Sequence, residues 1–194
     1  KGIHLIAGLD EAGRGPLAGP VVAAAVILPP GPDPSTKWLR LVDDSKKLTP
    51  KRRDKAFESI QRNALSIGLG IADVDEIDYA GIAEANRNAM MRAVNDLLIV
   101  PKHLLVDFVT FTECPWPYSA IVRGDSISYS IASASIVAKV TRDHIMIKSE
   151  SLYPGYGFGK HKGYGTRQHL AMLETLGPSP IHRRSFAPVS NALM

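Results

Sequence analysis

Two apolar runs near the start of the chain enclose a short acidic and glycine-rich stretch, and this arrangement restricts the possible folds most strongly. Residues 3–9 and 21–28 each have the length and apolar character of a buried strand. Between them stand two adjacent carboxylates, Asp10 and Glu11, followed by three glycines, two prolines and one arginine. Because successive side chains of a strand point to opposite faces, these two acids can serve one site only where the strand ends or bulges. A solvated hairpin turn would show the same local pattern, so the rest of the chain must decide.

The remaining pattern alternates strands and helices, which is typical of an α/β fold. After the first two strands we predict a helix over 50–65, a strand over 66–72, helices over 74–79 and 82–98, strands over 103–106 and 119–122, and helices over 128–152 and 167–176. Thr49, Asp73 and Thr166 are the predicted N-caps. The strand at 66–72 closes an antiparallel meander, and the strand at 103–106 is reached through a helical crossover.

Small side chains and glycine-rich stretches refine this prediction in the second half of the chain. Small side chains along 128–152 indicate that this helix packs closely against the sheet or another helix. Glycine-rich residues 153–165 and the tail at 181–194 are predicted to be loops.

Composition excludes several classes of protein. The chain has 194 residues, enough for one domain with a sizeable core, and one cysteine, Cys114, so it has neither an internal disulfide nor a cysteine-rich zinc site. Its net charge of +4 and pI of about 9.2 favour anionic partners such as nucleic acid. The apolar run at 17–28 is too short to span a membrane and follows acidic residues, so we predict a soluble, cytoplasmic protein without membrane partners.

Four acidic residues stand where strands end or loops begin: Asp10, Glu11, Asp107 and Asp125. Asp107 directly follows a short apolar strand, at the edge of the sheet where α/β proteins place their sites. Two like charges about 4 Å apart repel by roughly 4 kcal/mol at an effective dielectric of 20, so a converged group of acids requires a cation or raised pKa values. Oxygen ligands favour Mg²⁺ or Mn²⁺, and two such ions can support phosphodiester hydrolysis. For each aspartate alone, a helix cap or a turn is the alternative role.

Basic residues form three groups in loops and at helix starts. The groups are Lys46, Lys47, Lys51, Arg52 and Arg53; then Lys160, His161, Lys162 and Arg167; and finally Arg183 and Arg184. Runs of charge are usually solvated surfaces. Beside an acidic metal site, however, three such groups favour contacts with a phosphate backbone.

Several longer motifs resemble those of bacterial ribonuclease HII, the type 2 ribonuclease H. They lie at residues 10–20, 44–48, 133–143, 161–166 and 182–186, in the same order along nearly the whole chain. The resemblance implies a single domain over 1–194 with an RNase H-like fold, a mixed five-stranded sheet flanked by helices, and a helical, substrate-binding C-terminal segment from about 150 to 194. It also implies cleavage of RNA in RNA–DNA hybrids and incision at single ribonucleotides embedded in duplex DNA, by a monomeric enzyme.

The same resemblance suggests roles for individual residues. Asp10, Glu11, Asp107 and Asp125 match the family's catalytic, metal-binding carboxylates, with Mg²⁺ or Mn²⁺ as the cofactor. Residues 13–15, the Gly-Arg-Gly loop, match the family's ribonucleotide-reading loop, whose backbone groups suit a 2′-hydroxyl that both donates and accepts. Further substrate contacts are expected from Tyr164 at the sugar and from Ser45, Lys46 and Arg184 at phosphates.

Two positions near these motifs carry separate expectations. Asp143 also matches a recurrent aspartate of the family, but its place inside a long helix beside Arg142 favours a structural ion pair over metal ligation. Phe108 departs from the family's pattern, which usually has glycine after the third carboxylate. A bulky side chain there could change access or loop geometry beside Asp107.

Three other functions are compatible with parts of the sequence. The Gly-Asp-Ser tripeptide at 124–126 could hold a serine nucleophile, with His161, His169 or His182 as the base. A non-catalytic nucleic-acid module could use the basic loops alone. Ribonuclease HIII, a related enzyme class, shares the carboxylates but not the Gly-Arg-Gly loop.

Overall fold

The computed structural model describes residues 5–31, 35–43, 45 and 47–193. Its strands are β1 (Ile6–Ala12), β2 (Val21–Ile27), β3 (Ser66–Ala72), β4 (His103–Asp107) and β5 (Tyr118–Ile121). Its helices are α1 (Pro50–Asn63), α2 (Val74–Ala80), α3 (Ile82–Asn95), α4 (Tyr129–Leu152), α5 (Phe158–His161), α6 (Arg167–Leu176) and α7 (Ala187–Asn191), with 3₁₀ turns at Leu39–Leu41 and Gly124–Ser126.

The five strands form one mixed sheet in the order β3-β2-β1-β4-β5. β1 lies in the middle, antiparallel to β2 and parallel to β4, and β4 is parallel to β5. Leu9 pairs with Val106 in the parallel register, so the residues that follow each of them lie side by side. The predicted meander and the parallel strand after a helical crossover are therefore confirmed.

Helices cover both faces of the sheet. β2 is buried throughout, because Ala23 and Ala25 pack towards α3 while Ala24 and Val26 pack towards α4 and α1. The predicted close packing of α4 is confirmed at Gly8 in β1, where any Cβ would overlap the α4 backbone. Small residues on both elements thus bring α4 against the strand that carries the first two acids.

Local capping patterns fix where three helices begin. The side chain of Thr49 accepts a hydrogen bond from the Arg52 amide, Asp73 accepts one from Glu76, and Thr166 accepts one from His169, as predicted. α3 ends at Asn95, three residues earlier than predicted, and the side chain of the next residue, Asp96, accepts a hydrogen bond from the Leu69 amide in β3.

The two segments predicted to be loops each contain a short helix, so that prediction was wrong in part. α5 forms because Phe158 is fully buried against Ala18, Met146 and Tyr156. α7 forms because Val189 is fully buried with other apolar side chains of the C-terminal region. Distant packing partners stabilise both helices, which local propensity alone would not predict.

The C-terminal segment is tied to the loop that follows β1. The Leu17 amide donates to the Gly163 carbonyl at 2.8 Å, and the Gly19 amide donates to the Ile181 carbonyl at 2.8 Å. Ala18 also forms an isolated antiparallel bridge with His182. These contacts hold α5 and α6 beside the loop that follows β1. Among the described helices, none has the length and apolar character needed to cross a membrane.

Candidate active site

Three carboxylates meet at the edge of the sheet where β1 and β4 end. Asp10 lies in β1, Asp107 ends β4, and Asp125 lies in the 3₁₀ turn after β5; one oxygen of each lies within 4.8 Å of the others. The parallel register of β1 and β4 explains the first two, because it places Asp10 next to the strand end at Asp107. Asp10 and Asp125 are buried, with 5% and 7% of their surface exposed.

A sharp turn brings Asp125 to this edge. The Gly124 amide donates a 2.7 Å hydrogen bond to Oδ1 of Asp107, so the third acid orients the segment that carries the fourth. Arg123 adopts a left-handed conformation immediately before it, with φ of 56°. A Cβ at Gly124 would lie 2.5 Å from Cδ1 of Ile131, so a larger residue here would require the Ile131 side chain to move.

Glu11 is set apart from the three aspartates. β1 is regular, without a bulge, so Asp10 and Glu11 leave it on opposite faces and Glu11 does not join the group within 4.8 Å. The strand ends one residue later, at Ala12, and both acids line the same cavity. Its Oε1 pairs with Nη1 of Arg14 at 3.3 Å. Its Oε2 is buried and has no hydrogen-bond partner among the described residues. Burying an anionic oxygen without a partner costs free energy unless a cation binds it.

The electrostatics of the four acids also favour a cation. Burial, with a smaller contribution from the neighbouring Glu11 charge, raises the pKa of Asp10 well above its ordinary value. Burial likewise raises the pKa of Glu11, although Arg14 opposes the change. Asp107 raises both pKa values further. The clustered carboxylate oxygens, the repulsion between their charges and the unpartnered Oε2 of Glu11 are all features that a hard divalent cation would satisfy.

A cavity of about 230 Å³ opens beside Asp10, Glu11 and Asp107. It is lined by Asp10, Glu11, Ala12, Gly13, Arg14, Gly15, Ser45, Asp107, Ser135, Lys139, Arg142 and Tyr164. The Gly-Arg-Gly loop, Ser45 and Tyr164, which were singled out in the sequence, thus line one cavity with Asp10, Glu11 and Asp107. Tyr164 is 46% exposed, and a Cβ added to Gly15 would lie 3.9 Å from Cε1 of its ring.

Two buried arginines hold the loop after β1, a role that no local sequence pattern indicates for either. Arg183 donates to the carbonyls of Gly13, Arg14 and Gly19, the last at 3.0 Å from Nε. Arg142 donates to the carbonyls of Pro20, Ala18 and Lys162 at 2.9 to 3.1 Å. Both are at most 1% exposed.

The expectation that Arg183 joins a phosphate-binding basic group is therefore wrong, because its guanidinium is buried and fully engaged with the backbone. Its neighbour Arg184 is exposed, and its amide donates to Asp78. Ser45 is buried and its hydroxyl lies 2.9 Å from that of Ser135. Lys46 lies outside the described residues.

Comparison with known proteins decides the family. A family model described as Ribonuclease HII matches residues 7–189. The chain belongs to the ribonuclease HII family. It is 55% identical to the ribonuclease HII of Geobacter sulfurreducens over 193 residues, which is 100% of this chain and 87% of that protein.

Solved structures agree with the ribonuclease HII assignment. A ribonuclease H2 from Pyrococcus horikoshii OT3 superposes with a TM-score of 0.80 at 28% identity, covering 96% of each chain. Bst-RNase HIII, solved in complex with Mn²⁺, gives 0.74 at 18% identity over 99% of this chain and 70% of that one, which is a likeness of fold. The predicted RNase H-like sheet is confirmed. As a family member the chain is a ribonuclease H, a metal-dependent nuclease acting on RNA–DNA hybrids.

The serine hydrolase alternative does not fit a ribonuclease HII, and the local geometry also contradicts it. The Ser126 hydroxyl donates to the Arg123 carbonyl at 2.8 Å. The candidate bases are engaged elsewhere, because His169 and His182 contact each other and His161 contacts the Tyr156 carbonyl.

The expected structural role of Asp143 in this ribonuclease HII is confirmed. Its Oδ1 lies 2.7 Å from Nζ of Lys139, and its Oδ2 lies 3.5 Å from Nη1 of Arg53. The partners are these two cations, whereas the adjacent Arg142 turns to backbone carbonyls. Asp143 therefore links α4 to α1.

Phe108 occupies a backbone conformation that glycine prefers. Its φ is 56° and its side chain is 69% exposed, so the ring contributes little burial to offset the strain. We expect Phe108→Gly to leave the free energy of unfolding unchanged or to raise it by up to about 1 kcal/mol, because relief of the left-handed strain exceeds the entropy cost of glycine. Urea unfolding measures this change, and a clear loss of stability would show that the ring packs in a way its exposure does not suggest.

Proposed function

We propose that this ribonuclease H also incises DNA duplexes that contain a single ribonucleotide, on the 5′ side of that nucleotide, leaving 3′-hydroxyl and 5′-phosphate ends. The observation that carries the proposal is the cavity in which the Gly-Arg-Gly loop and Tyr164 lie beside the acidic group. An enzyme that recognises one 2′-hydroxyl next to the phosphate it cleaves needs its recognition residues and its carboxylates within one nucleotide of each other.

The four carboxylates would hold the metal, by this proposal. Asp10, Asp107 and Asp125 offer converging oxygens, and Glu11 offers a buried oxygen without a hydrogen-bond partner among the described residues. When bound, two Mg²⁺ or Mn²⁺ ions supply an activated water and stabilise the leaving oxygen. Asn86 lies close enough to Glu11 to favour its charged form, and is itself buried.

Arg183 prepares the loop for recognition. Because the Gly13 and Arg14 carbonyls point to its guanidinium, the trans peptide geometry turns the amides of Arg14 and Gly15 away from it. We assign these amides to the ribose 2′-hydroxyl, which distinguishes RNA from DNA. A loop fixed in advance loses little entropy on binding.

Other contacts of the proposal position the duplex. Tyr164 packs on the sugar at the RNA–DNA junction, and Ser45, Lys46 and Arg184 contact phosphates. We assign the C-terminal segment, about 150–194, to substrate binding within one domain over 1–194. Monomeric state and cytoplasmic location stay predictions.

Tyr164→Ala is expected to lower incision at a single ribonucleotide by about 10- to 100-fold, while Mn²⁺ affinity changes less than about twofold. The ring contacts the sugar in this proposal, whereas the carboxylates keep their geometry. Incision rates with a labelled duplex and Mn²⁺ titration by calorimetry measure the two effects. Tyr164→Phe is the matched control for the hydroxyl, and a wild-type rate in Tyr164→Ala would remove this residue from the site.

The test of the function uses one DNA duplex with one ribonucleotide, incubated with the protein with and without Mg²⁺. We expect a single cut on the 5′ side with Mg²⁺, none after chelation, and none in the all-DNA duplex. Cleavage of a long RNA–DNA hybrid without incision of this substrate would contradict the proposal and favour the specificity expected of a ribonuclease HIII.

A further inference from the structure

Three histidines of the C-terminal segment lie close together near Tyr164 and take no part in the site described so far. The ring centroids of His161 and His169 lie 4.4 Å apart, and those of His169 and His182 lie 5.1 Å apart. His169 and His182 are 0% and 1% exposed. Buried imidazoles need hydrogen-bond partners, and these partners define where each proton is.

The hydrogen bonds assign one tautomer to each histidine of the buried pair. The Ser179 amide donates to Nδ1 of His182 at 2.9 Å, so that nitrogen carries no proton and the neutral ring is protonated at Nε2. This Nε2 lies 3.0 Å from Nε2 of His169, which must therefore accept. His169 is then protonated at Nδ1, which donates to the Tyr164 carbonyl at 2.9 Å. Every link in this relay has one donor and one acceptor.

Burial keeps the relay neutral. It lowers the pKa of His182 to about 4 and also lowers the pKa of His169. The titratable side chains whose rings contact the pair are His161, stacked on His169, and Tyr156, tilted against His182. Protonating His169 would put hydrogens on both facing Nε2 atoms and break the central link.

The relay joins the two parts of the proposed ribonucleotide sensor. On one side, His182 bridges Ala18 in the loop after β1, and the next residue, Arg183, holds the Gly13 carbonyl. On the other side, His169 holds the Tyr164 carbonyl. The two imidazoles therefore connect the segment that holds the Gly-Arg-Gly loop to the Tyr164 carbonyl, which also accepts from the Thr166 amide at 2.8 Å.

We propose that His169 and His182 are positioning residues that fix Tyr164 over the Gly-Arg-Gly loop through the hydrogen-bonded chain from Ser179 to the Tyr164 carbonyl. The proposal rests on the proposed function of Tyr164. Neither histidine contacts substrate; each acts by orienting a backbone group, so that the ring meets the ribose in one pose.

Imidazole NMR of the wild-type protein tests the relay itself. At pH 7 we expect His182 protonated at Nε2 and His169 at Nδ1, with both N–H protons protected from exchange and a scalar coupling between the two Nε2 atoms. A cationic ring, or His169 protonated at Nε2, would overturn the proposal without bearing on the nuclease activity.

A double-mutant cycle tests the positioning role. His169→Phe keeps an aromatic ring at this position but removes both ring nitrogens. We expect it to lower single-ribonucleotide incision about tenfold in the wild-type background, and less than about twofold in the Tyr164→Ala background. A merely structural role would lower the rate equally in both backgrounds, which would overturn the proposal. If Tyr164→Ala alone does not change the incision rate, the proposed role of Tyr164 in sugar recognition is contradicted, and the positioning role of His169 is contradicted with it.

Two further variants complete the design. His169→Asn keeps a donor near the Nδ1 position, so incision is expected within about threefold of wild type. A loss of about tenfold or more in a folded His169→Asn would contradict the role of the Tyr164 carbonyl, and this test holds even where His169→Phe fails to fold. His144→Phe, at an exposed position on α4, controls for adding a phenyl ring and should not change the rate.

Discussion

Replacing Asp107 by Asn is expected to lower cleavage of an RNA–DNA hybrid by about 1000-fold or more while leaving hybrid binding in place. In the proposed site Asp107 is an anionic metal ligand, so its loss should remove several kcal/mol of transition-state stabilisation, and about 1.4 kcal/mol corresponds to each factor of ten. Binding survives because phosphate contacts elsewhere position the duplex. Single-turnover rates and fluorescence anisotropy measure the two quantities.

The same Asp107→Asn variant should be at least as stable as the wild type in the absence of metal. Asparagine keeps an oxygen that can accept from the Gly124 amide, so the turn that carries Asp125 is retained. It also removes a charge that raises the pKa of Asp10 and of Glu11. Repulsion among the acids therefore falls. The variant loses activity without losing stability, which is the usual trade-off at an active site.

Asp143→Asn is the matched control, because it makes the same chemical change at an aspartate that lies outside the acidic group. Asp143 is engaged by Lys139 and Arg53, so its loss should lower stability and leave most of the cleavage activity. Equal loss of hybrid binding and rate in Asp107→Asn, or greater inactivation in Asp143→Asn, would contradict the assignment of the metal site.

Arg183→Met is expected to reduce the free energy of unfolding by about 3–5 kcal/mol. Methionine has comparable length but no donors, so the carbonyls of Gly13, Arg14 and Gly19 lose their partner in a buried place. Each buried unsatisfied acceptor costs about 1–3 kcal/mol, with some relief from relaxation. Urea unfolding followed by circular dichroism measures the change.

Arg184→Met provides the comparison at the adjacent, exposed position. Its backbone amide keeps its bond to Asp78, so stability should change by less than about 0.5 kcal/mol. Similar unfolding free energies for Arg183→Met and Arg184→Met would show that the buried guanidinium does not stabilise the loop.

The sequence predicted those parts of the fold that depend on neighbouring residues. Thr49, Asp73 and Thr166 cap helices through residues three positions later, which a local pattern reveals. The sequence predicted Asp107 at the carboxyl edge of the sheet, and the parallel register of β1 and β4 places Asp10 beside it. The roles of the four carboxylates themselves stay predictions.

What the sequence did not reveal depends on contacts between distant segments. Arg183 and Arg184 are identical in type, and only the fold decides that one is buried against the loop after β1 and the other is exposed. Likewise, no local pattern shows that His169 and His182 meet, because the contact requires α6 and the tail to be folded together.

The chemical identity of the ends produced from a duplex with one ribonucleotide tests the central claim most directly. Metal-activated water attacking the phosphate on the 5′ side predicts a 3′-hydroxyl on the upstream deoxynucleotide and a 5′-phosphate on the ribonucleotide, formed only when Mg²⁺ or Mn²⁺ is supplied. A 2′,3′-cyclic phosphate, or cleavage that persists after chelation, would contradict a site built on Asp10, Glu11, Asp107 and Asp125.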